Sequence, residues 1–441
     1  MTRTRALFAA LLCASGCLAA QTTPPEGDCH VGLYALADHS LVDIGQSVGS
    51  SLRWRRLDGR TGAFATEGPE AGLSQLGWTG QPDGHRITLA DCATNEIGWD
   101  GQRGQRVPLE LKETRFDSAG TSLAGRLVLP AGHGPVPIVV LLHGSERDAA
   151  TSFNALQRLF PASGIGAFVY DKRGTGRSQG RYTQDYELLA RDAVAAMHEA
   201  RRLAGARAGR IGYQGPSQGG WVAPLAAKLE PVDFVMVSFG LAVSVLEEDR
   251  SAVLLNLEAK GHGAQSKAEA LEMADACAAL LMRPTPEVFD RFDAVRARYR
   301  NKPWFADMHG NFSFMLLGLK KDDLAAFARQ VDFEVPFHYD PMAAIAALRT
   351  PQLWVLAQDD VDAPSAETAR RLALLRMAGH PIATAMFPAT EHGIYEYATQ
   401  PDGQRLSTRQ PEGYLRLMVD FARGQPLKPP YGTAALATPF H

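Results

Sequence analysis

The chain has 441 residues, which is enough for two domains or for one large domain with additions. Hydrophobic residues make up 45% and charged residues 21%, as in ordinary soluble globular proteins. The formal net charge is −3, so no broad charged surface indicates binding to nucleic acid or to an anionic membrane. No apolar run after residue 20 is long enough to cross a bilayer as a helix, which argues against a membrane-spanning protein.

The first 20 residues have the pattern of an export signal. Two arginines precede the apolar run ALFAALLCASGCLAA, which ends in small residues near Ala20. The stretch ASGC is also similar to a bacterial lipobox, which would leave a lipid anchor on Cys17. The sequence therefore predicts a signal peptide over residues 1–20 and an exported chain that is periplasmic or secreted, with a lipoprotein as the alternative.

Three cysteines follow the predicted signal. Cys29 and Cys92 both lie in the N-terminal region and can pair as a disulfide in an oxidising compartment. Cys277 lies in a helical pattern, which favours a buried free thiol. No cysteine–histidine spacing is typical of a metal site, so we expect no metal.

Residues 21–108 are predicted to form a small β-rich N-terminal domain. From Cys29 to about Arg106, short runs such as HVGLYALAD and HRITLADC are separated by Gly, Asp and Asn, as hairpin turns require. No constellation of catalytic side chains occurs there.

From residue 109 onward, β runs and helical patterns alternate. VPIVVLLHG, IGAFVYDKRG, RIGYQ, VDFVMVSFG, LWVLAQ and PIATAMF are apolar runs of the kind that is buried on both faces of a parallel sheet. The segment ELLARDAVAAMHEARRLAG has helical periodicity, and EGYLRLMVDFARG closes the alternation as a helix. Residues 109–424 are therefore predicted to form an α/β domain with a mostly parallel sheet and right-handed crossovers.

Two segments depart from this alternation. Residues 242–338 are mostly helical by pattern and lack a strong buried strand, so we predict an inserted helical cap. Residues 425–441 are proline-rich and are expected to form an irregular tail.

The stretch GYQGPSQGGW contains the pattern G-x-S-x-G, centred on Ser217, between a predicted strand and a predicted helix. Such a turn reverses so sharply that the serine backbone is strained, and a Cβ at either flanking glycine would collide with neighbouring elements. The hydroxyl is then exposed at the carboxyl edge of the sheet, close to a helix N-terminus that favours negative charge. Ser217 is therefore predicted to be a nucleophile.

A serine hydroxyl needs a general base, and the base needs an orienting carboxylate. After the strand LWVLAQ, the loop DDVDAP offers Asp359, Asp360 and Asp362. After the last strand comes His392 in FPATEHG. Serine, aspartate and then histidine is the chain order that this architecture requires.

Together these motifs resemble the α/β-hydrolase superfamily over residues 109–424. The resemblance is carried by HGS at 143–145, DKRG at 171–174, the turn around Ser217 and the two loops that follow later strands. Within the superfamily the chain is similar to bacterial serine esterases of the EstD type, near the prolyl oligopeptidase and acyl-CoA thioesterase branches. The β-rich leader is also similar to the N-terminal extension that such esterases carry. The resemblance implies an α/β-hydrolase fold with a helical cap and a reaction that needs neither a metal nor an organic cofactor.

The family pattern also selects one aspartate. Its acid loop has the form G-x-x-D with a proline four residues later. Here Ala357 replaces the glycine, Asp360 takes the acid position and Pro364 follows. The resemblance therefore favours Asp360 over Asp359 and Asp362.

In such hydrolases two backbone N–H groups form an oxyanion hole. One belongs to the residue after the nucleophile, here Gln218, and the other to the loop after the third strand, here Ser145, with Gly144 as second choice. The side chain of Gln218 is expected to be incidental.

Several other residues could be taken for site residues, but we interpret them as structural. We expect Asp171 and Arg173 to brace loops below the site and Trp221 to pack in the core. The side chain of Glu391 is expected to diverge from that of His392. The three cap histidines are expected to be structural or exposed: His262, His309 and His338.

The leading hypothesis is an exported serine hydrolase that cleaves a small-molecule carboxylic ester through an acyl-enzyme. Alternatives with the same chemistry are a peptidase, a thioesterase or an acyltransferase. An alternative from another class is a binding module that kept the fold and lost activity. Substrate preference, acyl chain length and oligomeric state stay open.

Overall fold

The computed structural model describes residues 28–47, 49, 51–331 and 334–439. The predicted signal peptide and Cys17 lie outside these residues. Within them, no helix is both long and apolar enough to cross a membrane.

The described part of the N-terminal region is a closed antiparallel barrel, in which the first strand pairs with the second and with the eighth. Its interior is filled by aromatic and branched side chains, among them Tyr34, Trp54, Phe64 and Trp99. A disulfide joins Cys29 to Cys92, and so ties the chain before the first strand to the turn before the seventh. The strands are β1 Gly32–Leu36, β2 Leu41–Gln46, β3 Ser51–Arg55, β4 Thr61–Ala65, β5 Leu73–Leu76, β6 Pro82–Leu89, β7 Glu96–Trp99 and β8 Gln102–Arg106.

The rest of the described chain contains one large sheet and one small sheet. Its strands are β9 Leu109–Ser118, β10 Thr121–Pro130, β11 Val136–Leu141, β12 Gly166–Tyr170, β13 Ala208–Pro216, β14 Phe234–Ser238, β15 Gln352–Ala357, β16 Ile382–Phe387, β17 Thr390–Glu391, β18 Tyr395–Thr399, β19 Arg405–Arg409 and β20 Ala435–Ala437. The large sheet has the order β20-β16-β15-β14-β13-β11-β12-β10-β9. Strands β11 to β16 are parallel, whereas β9, β10 and β20 join antiparallel. This is the mostly parallel α/β sheet that the apolar runs predict.

Helices cover both faces of the large sheet, which is why its central strands are buried along their whole length. The helices are α1 Ala150–Phe153, α2 Leu156–Ala162, α3 Tyr186–Ala204, α4 Gly219–Leu229, α5 Val245–Ala259, α6 Ala264–Met282, α7 Pro286–Tyr299, α8 Ser313–Leu316, α9 Leu324–Gln330, α10 Pro341–Ile345, α11 Ser365–Met377 and α12 Tyr414–Ala422. Helices α5 to α10 lie between β14 and β15. Of these, α5 to α9 enclose a core of their own around Met273, Phe292 and Trp304, and Cys277 is a buried free thiol within it.

The C-terminal tail differs from the expected irregular segment. Residues Ala435–Ala437 form β20, which pairs antiparallel with β16 from Thr384 to Met386. Without β20, the backbone groups along this side of β16 would be an open edge, and pairing satisfies them.

A second difference is the small sheet formed by β17, β18 and β19, which follows the last parallel strand. The barrel packs against this sheet. The guanidinium of Arg53 stacks over Trp78 at 3.9 Å, and the Trp78 ring meets Tyr395 of β18 edge-on at 4.6 Å between centroids. The backbone N–H of Trp78 also donates to the carbonyl of Ser407 at 2.9 Å. The barrel therefore contacts the segment that follows the predicted catalytic histidine.

A buried ion pair also joins the barrel to the α/β domain. The fully buried carboxylate of Asp43 in β2 accepts from the Nε and Nη2 of Arg158 in α2, the latter at 3.2 Å. Arg55 approaches the same carboxylate at 3.6 Å. Burial of this charge is tolerated because two guanidinium groups surround it.

We expect Asp43→Asn to lower the free energy of unfolding by about 3 kcal/mol, because the substitution leaves two guanidinium groups without their carboxylate. Urea unfolding followed by circular dichroism measures the change. The exposed barrel residue Glu67 provides a matched control, and Glu67→Gln should change stability by less than about 0.5 kcal/mol. Equal stability of the two variants would contradict a stabilising role for the pair.

Candidate active site

Ser217 lies in the sharp turn between β13 and α4, and its backbone has the left-handed φ of +48°. The neighbouring glycines are required by close backbone approach. A Cβ on Gly215 would lie 2.3 Å from the carbonyl oxygen of Gly219, whereas a Cβ on Gly219 would lie 3.1 Å from the carbonyl oxygen of His143, so the predicted clash is severe at Gly215 and mild at Gly219. The local strain thus has a steric cause, and it leaves the partly exposed serine at the carboxyl edge of the sheet.

Three predicted site residues meet in one hydrogen-bonded chain. The hydroxyl of Ser217 lies 3.1 Å from Nε2 of His392, and Nδ1 of His392 lies 2.9 Å from Oδ2 of Asp360. A carboxylate only accepts hydrogen bonds, so Nδ1 carries a proton, and in the neutral imidazole Nε2 is left to accept from the serine. This is the arrangement in which an imidazole takes a proton from a serine.

The carboxylate of Asp360 is held in place by its own loop. It is 2% exposed, and its second oxygen, Oδ1, accepts from the backbone N–H groups of Asp362 at 3.0 Å and Ala363 at 2.8 Å. With three donors around it, the carboxylate has one orientation, which points Oδ2 at the imidazole.

The other acidic candidates have different contacts. Asp359 accepts from the hydroxyl of Tyr397 at 2.8 Å, and Glu391 accepts from the hydroxyl of Ser407 at 2.6 Å. Both carboxylates therefore accept hydrogen bonds from side chains of the small sheet, whereas the contact with the imidazole is made by Asp360. Asp362 contacts the cap through its backbone carbonyl, which accepts from the side-chain amide of Asn311 at 2.6 Å.

The imidazole of His392 has an aromatic neighbour that the sequence analysis did not single out. The ring of Phe239 meets it edge-on, with 4.8 Å between centroids. Phe239 follows β14 directly and has a φ of +43°, so it turns out of the strand at the same sheet edge as Ser217. Its place at the end of a buried strand is the signal that identifies it as a site residue.

Nearby charges set the pKa of His392. Burial disfavours the imidazolium, but the charge and hydrogen bond of Asp360, together with the charges of Asp362 and Glu248, outweigh this effect. Together they raise the pKa of His392 to about 9. Burial also raises the pKa of the Asp362 carboxyl and raises that of the Glu248 carboxyl well above its usual range.

The loop after β11 lies beside the serine. A Cβ on Gly144 would lie 3.4 Å from the Cβ of Ser217. The N–H of Gly144 already donates to Oε1 of Glu146 at 3.2 Å, which favours Ser145 over Gly144 as an oxyanion donor. The backbone N–H groups of Ser145 and Gln218 have no hydrogen-bond acceptor among the described residues.

The side chain of Gln218 is not incidental, contrary to expectation. It is 4% exposed, accepts from the ammonium of Lys172 at 2.8 Å and donates to Gln184 at 3.1 Å. Because the side-chain amide is hydrogen-bonded at both its oxygen and its nitrogen, it restricts the movement of the Gln218 backbone.

The remaining candidates have the structural contacts that were expected of them. Asp171 accepts from the backbone and hydroxyl of Thr151, both at 2.9 Å, and Arg173 pairs with the buried Asp192. Trp221 donates to the carbonyl of Val243 at 2.8 Å in the core. Among the cap histidines, His262 pairs with Asp307, His309 stacks on Phe314, and His338 lines a surface groove beside Tyr339.

Two groups of side chains in the described residues have metal-ligating chemistry. One is Asp360, Asp362 and His392, and the other is Cys29, His30 and Cys92. In the first, Asp360 and His392 hydrogen-bond each other, and in the second the two thiols form the disulfide.

The sheet order, with a serine after β13, an aspartate after β15 and a histidine after β16, defines an α/β-hydrolase fold, as the sequence resemblance implies. The family model of X-Pro dipeptidyl-peptidases (S15 family) matches residues 119–365. This match covers more than half of the chain, and the protein belongs to that family.

Individual similar proteins match more weakly. Esterase FrsA of Enterobacter sp. (strain 638) is 31% identical over 98 residues, which are 22% of this chain and 24% of that protein. The acylaminoacyl peptidase of Pyrococcus horikoshii is 16% identical, with a TM-score of 0.40 over 81% of this chain and 52% of that chain. Esterase Pf2001 of Pyrococcus furiosus is 13% identical, with a TM-score of 0.41 over 64% of this chain and 84% of that chain. The chain thus spans about a quarter of the curated relative and about half of the Pyrococcus horikoshii peptidase.

We expect the His392 ring to titrate near pH 9, and Asp362→Asn to lower that pKa. The asparagine is neutral, so it no longer favours the imidazolium, while the backbone contacts of residue 362 remain. NMR titration of histidine-labelled protein measures the shift, with the signal assigned by its loss in His392→Ala. The matched control is Asp359→Asn, whose carboxylate faces Tyr397, and it should leave the pKa unchanged. An unchanged or higher pKa in Asp362→Asn would contradict this account of the charges.

Proposed function

We propose that the protein is a serine hydrolase that cleaves carboxylic esters through an acyl-enzyme. The observation that supports this most strongly is the unbroken hydrogen-bonded chain from Ser217 through His392 to Asp360, with distances of 3.1 and 2.9 Å. Each atom in the chain has the donor or acceptor role that proton transfer from the serine requires.

In the proposed reaction, Oγ of Ser217 attacks the ester carbonyl while Nε2 of His392 takes the hydroxyl proton. Asp360 keeps Nδ1 protonated and stabilises the imidazolium. The backbone N–H groups of Gln218 and Ser145 donate to the oxygen that becomes negative in the tetrahedral intermediate.

The intermediate collapses when the C–O bond to the leaving alcohol breaks. His392 gives its proton to that alcohol, and the acyl group stays on Ser217 as an ester. A water molecule, deprotonated by His392, then attacks the acyl-enzyme through a second oxyanion. Release of the carboxylic acid restores the Ser217 hydroxyl.

The cellular location of the protein is part of the same proposal. The apolar run before Ala20 has the pattern of an export signal, and Cys29 and Cys92 are joined by a disulfide, a bond that persists in oxidising compartments. We therefore place the mature chain in the periplasm or outside the cell, either free or anchored through Cys17.

A peptidase is the second candidate. It is favoured by the family description, which names X-Pro dipeptides, and by two acidic side chains whose charges act on the imidazole. Glu248 of the cap helix α5 and Asp362 both act on the charge of His392. A bound ammonium would favour the ionised form of these carboxyls, and the resulting carboxylates would favour a substrate with a cationic amine.

A substrate panel tests the proposal and separates the two candidates. We expect the wild type to turn over p-nitrophenyl esters with a higher kcat/KM than X-Pro p-nitroanilides. Ser217→Ala should lose about 10⁶-fold in kcat on either class, because the nucleophile is gone. A colorimetric assay of p-nitrophenol and p-nitroaniline release measures both activities.

The matched control is Ser163→Ala. The hydroxyl of Ser163 donates to the carbonyl of Leu159 near the start of β12, at the sheet edge opposite the site, so activity should be unchanged. Faster cleavage of the anilide would replace the esterase proposal with the peptidase. Full activity of Ser217→Ala would refute both.

A further inference from the structure

A buried lysine lies directly behind the proposed oxyanion hole. Lys172 is 2% exposed, and its ammonium donates to the carbonyl of Gly144 at 2.8 Å and to Oε1 of Gln218 at 2.8 Å. The first contact is with the loop after β11, and the second is with the residue after the nucleophile. We propose that Lys172 is a positioning residue that sets the orientation of both oxyanion donors at once; this inference rests on the proposed function.

The contact with Gly144 controls the Ser145 amide, because the two groups share one peptide plane. The carbonyl of Gly144 and the N–H of Ser145 point in opposite directions in a trans peptide. While the ammonium holds the carbonyl, the N–H must point away from Lys172. A hydrogen bond from a cation also polarises the peptide and strengthens its N–H as a donor.

The contact with Gln218 controls the second donor. The Gln218 side chain is held between the Lys172 ammonium and Oε1 of Gln184, at 2.8 and 3.1 Å. A side chain fixed at both its oxygen and its nitrogen restricts the rotation of its own backbone. The N–H of Gln218 therefore keeps its direction relative to Ser217.

The two contacts belong to a closed ring of buried groups. Gln184 donates to the hydroxyl of Tyr182 at 3.2 Å, and that hydroxyl donates to the carbonyl of Ser145 at 2.6 Å. The Lys172 ammonium also lies 4.8 Å from the centre of the Tyr182 ring. The hydrogen-bonded network is therefore closed, because both Lys172 and Tyr182 bind the loop after β11. Lys172 binds the carbonyl before the Ser145 Cα, and Tyr182 binds the carbonyl after it.

Burying the Lys172 ammonium costs free energy, because the charged group loses its contact with water. Burial lowers the pKa of Lys172 to about 8, and Glu146 opposes this only in part. Within the described residues, no carboxylate forms a salt bridge with this ammonium. Its partners are two neutral oxygens, one on the loop beside the nucleophile and one on the residue that follows it.

The test compares Lys172→Met with Lys112→Met. Lys112 also donates to a backbone carbonyl, that of Leu203 at 3.0 Å, but it lies in the edge strand β9. Two quantities are measured for each folded variant, namely kcat and KM on a p-nitrophenyl ester and the inhibition constant of a trifluoromethyl ketone. The ketone forms a tetrahedral adduct with a serine and so places an oxyanion in the hole.

We expect Lys172→Met to lower kcat by about 100-fold with little change in KM, because misplaced donors weaken the transition state more than the ground state. The ketone should bind more weakly by a similar factor. Lys112→Met should match the wild type in both measurements. Should Lys172→Met fail to fold, Gln218→Met removes the same contact from the other side and should weaken ketone binding likewise.

Ketone binding as tight in a folded Lys172→Met as in the wild type would overturn the inference. So would a rise in KM with unchanged kcat, and so would unchanged ketone binding in Gln218→Met when Lys172→Met does not fold. These results leave the proposed function intact if the wild type hydrolyses the ester. Failure of the wild type to bind the ketone and to cleave esters would instead overturn the proposed function, and this inference with it.

Discussion

The structure depends on one constraint, which is that three side chains from three separate loops must meet within hydrogen-bonding distance. Ser217, Asp360 and His392 are separated by up to 175 positions in sequence, yet their contacts are 3.1 and 2.9 Å. Parallel strands meet this constraint because their carboxyl ends share one edge of the sheet. The large sheet therefore brings the loops together, and each loop adds its own means of orientation. For Asp360 the means are two backbone N–H groups, and for Ser217 they are the glycines around a strained turn.

The histidine requires the most support, because it follows the last parallel strand rather than a turn into a helix. The small sheet β17–β19 provides that support, and Phe239 covers one edge of the imidazole. The barrel in turn packs on the small sheet through Trp78 and Tyr395. The N-terminal domain contributes no residue to the triad, but its contact with the small sheet supports the segment that follows His392. Its effect on activity would pass through the position of His392, and the buried pair of Asp43 and Arg158 helps to hold it there.

Much of this could be predicted from sequence because its signals are local. The apolar runs predicted the parallel strands, and G-x-S-x-G predicted the turn at Ser217, where the steric demand lies within a few residues. Other features depend on contacts between distant parts of the chain. Lys172 follows a buried strand, and lysine side chains are usually exposed to solvent. Only the fold therefore shows that it is buried between Gly144 and Gln218. Strands β17–β20 are short and carry no clear periodicity of their own. β20 forms by pairing with the edge strand β16, and β17–β19 form by pairing with one another as the chain folds back after the last parallel strand.

The central claim is that Ser217 is an activated nucleophile, and covalent labelling with a fluorophosphonate tests it most directly. Such a reagent reacts with a serine whose proton is taken by a neighbouring base, and peptide mass spectrometry locates the bond. We predict that the folded wild type is labelled on Ser217, that Ser163→Ala is labelled to the same extent, and that Ser217→Ala is not labelled. A folded wild type that stays unlabelled, or a label found on another residue, would contradict the account.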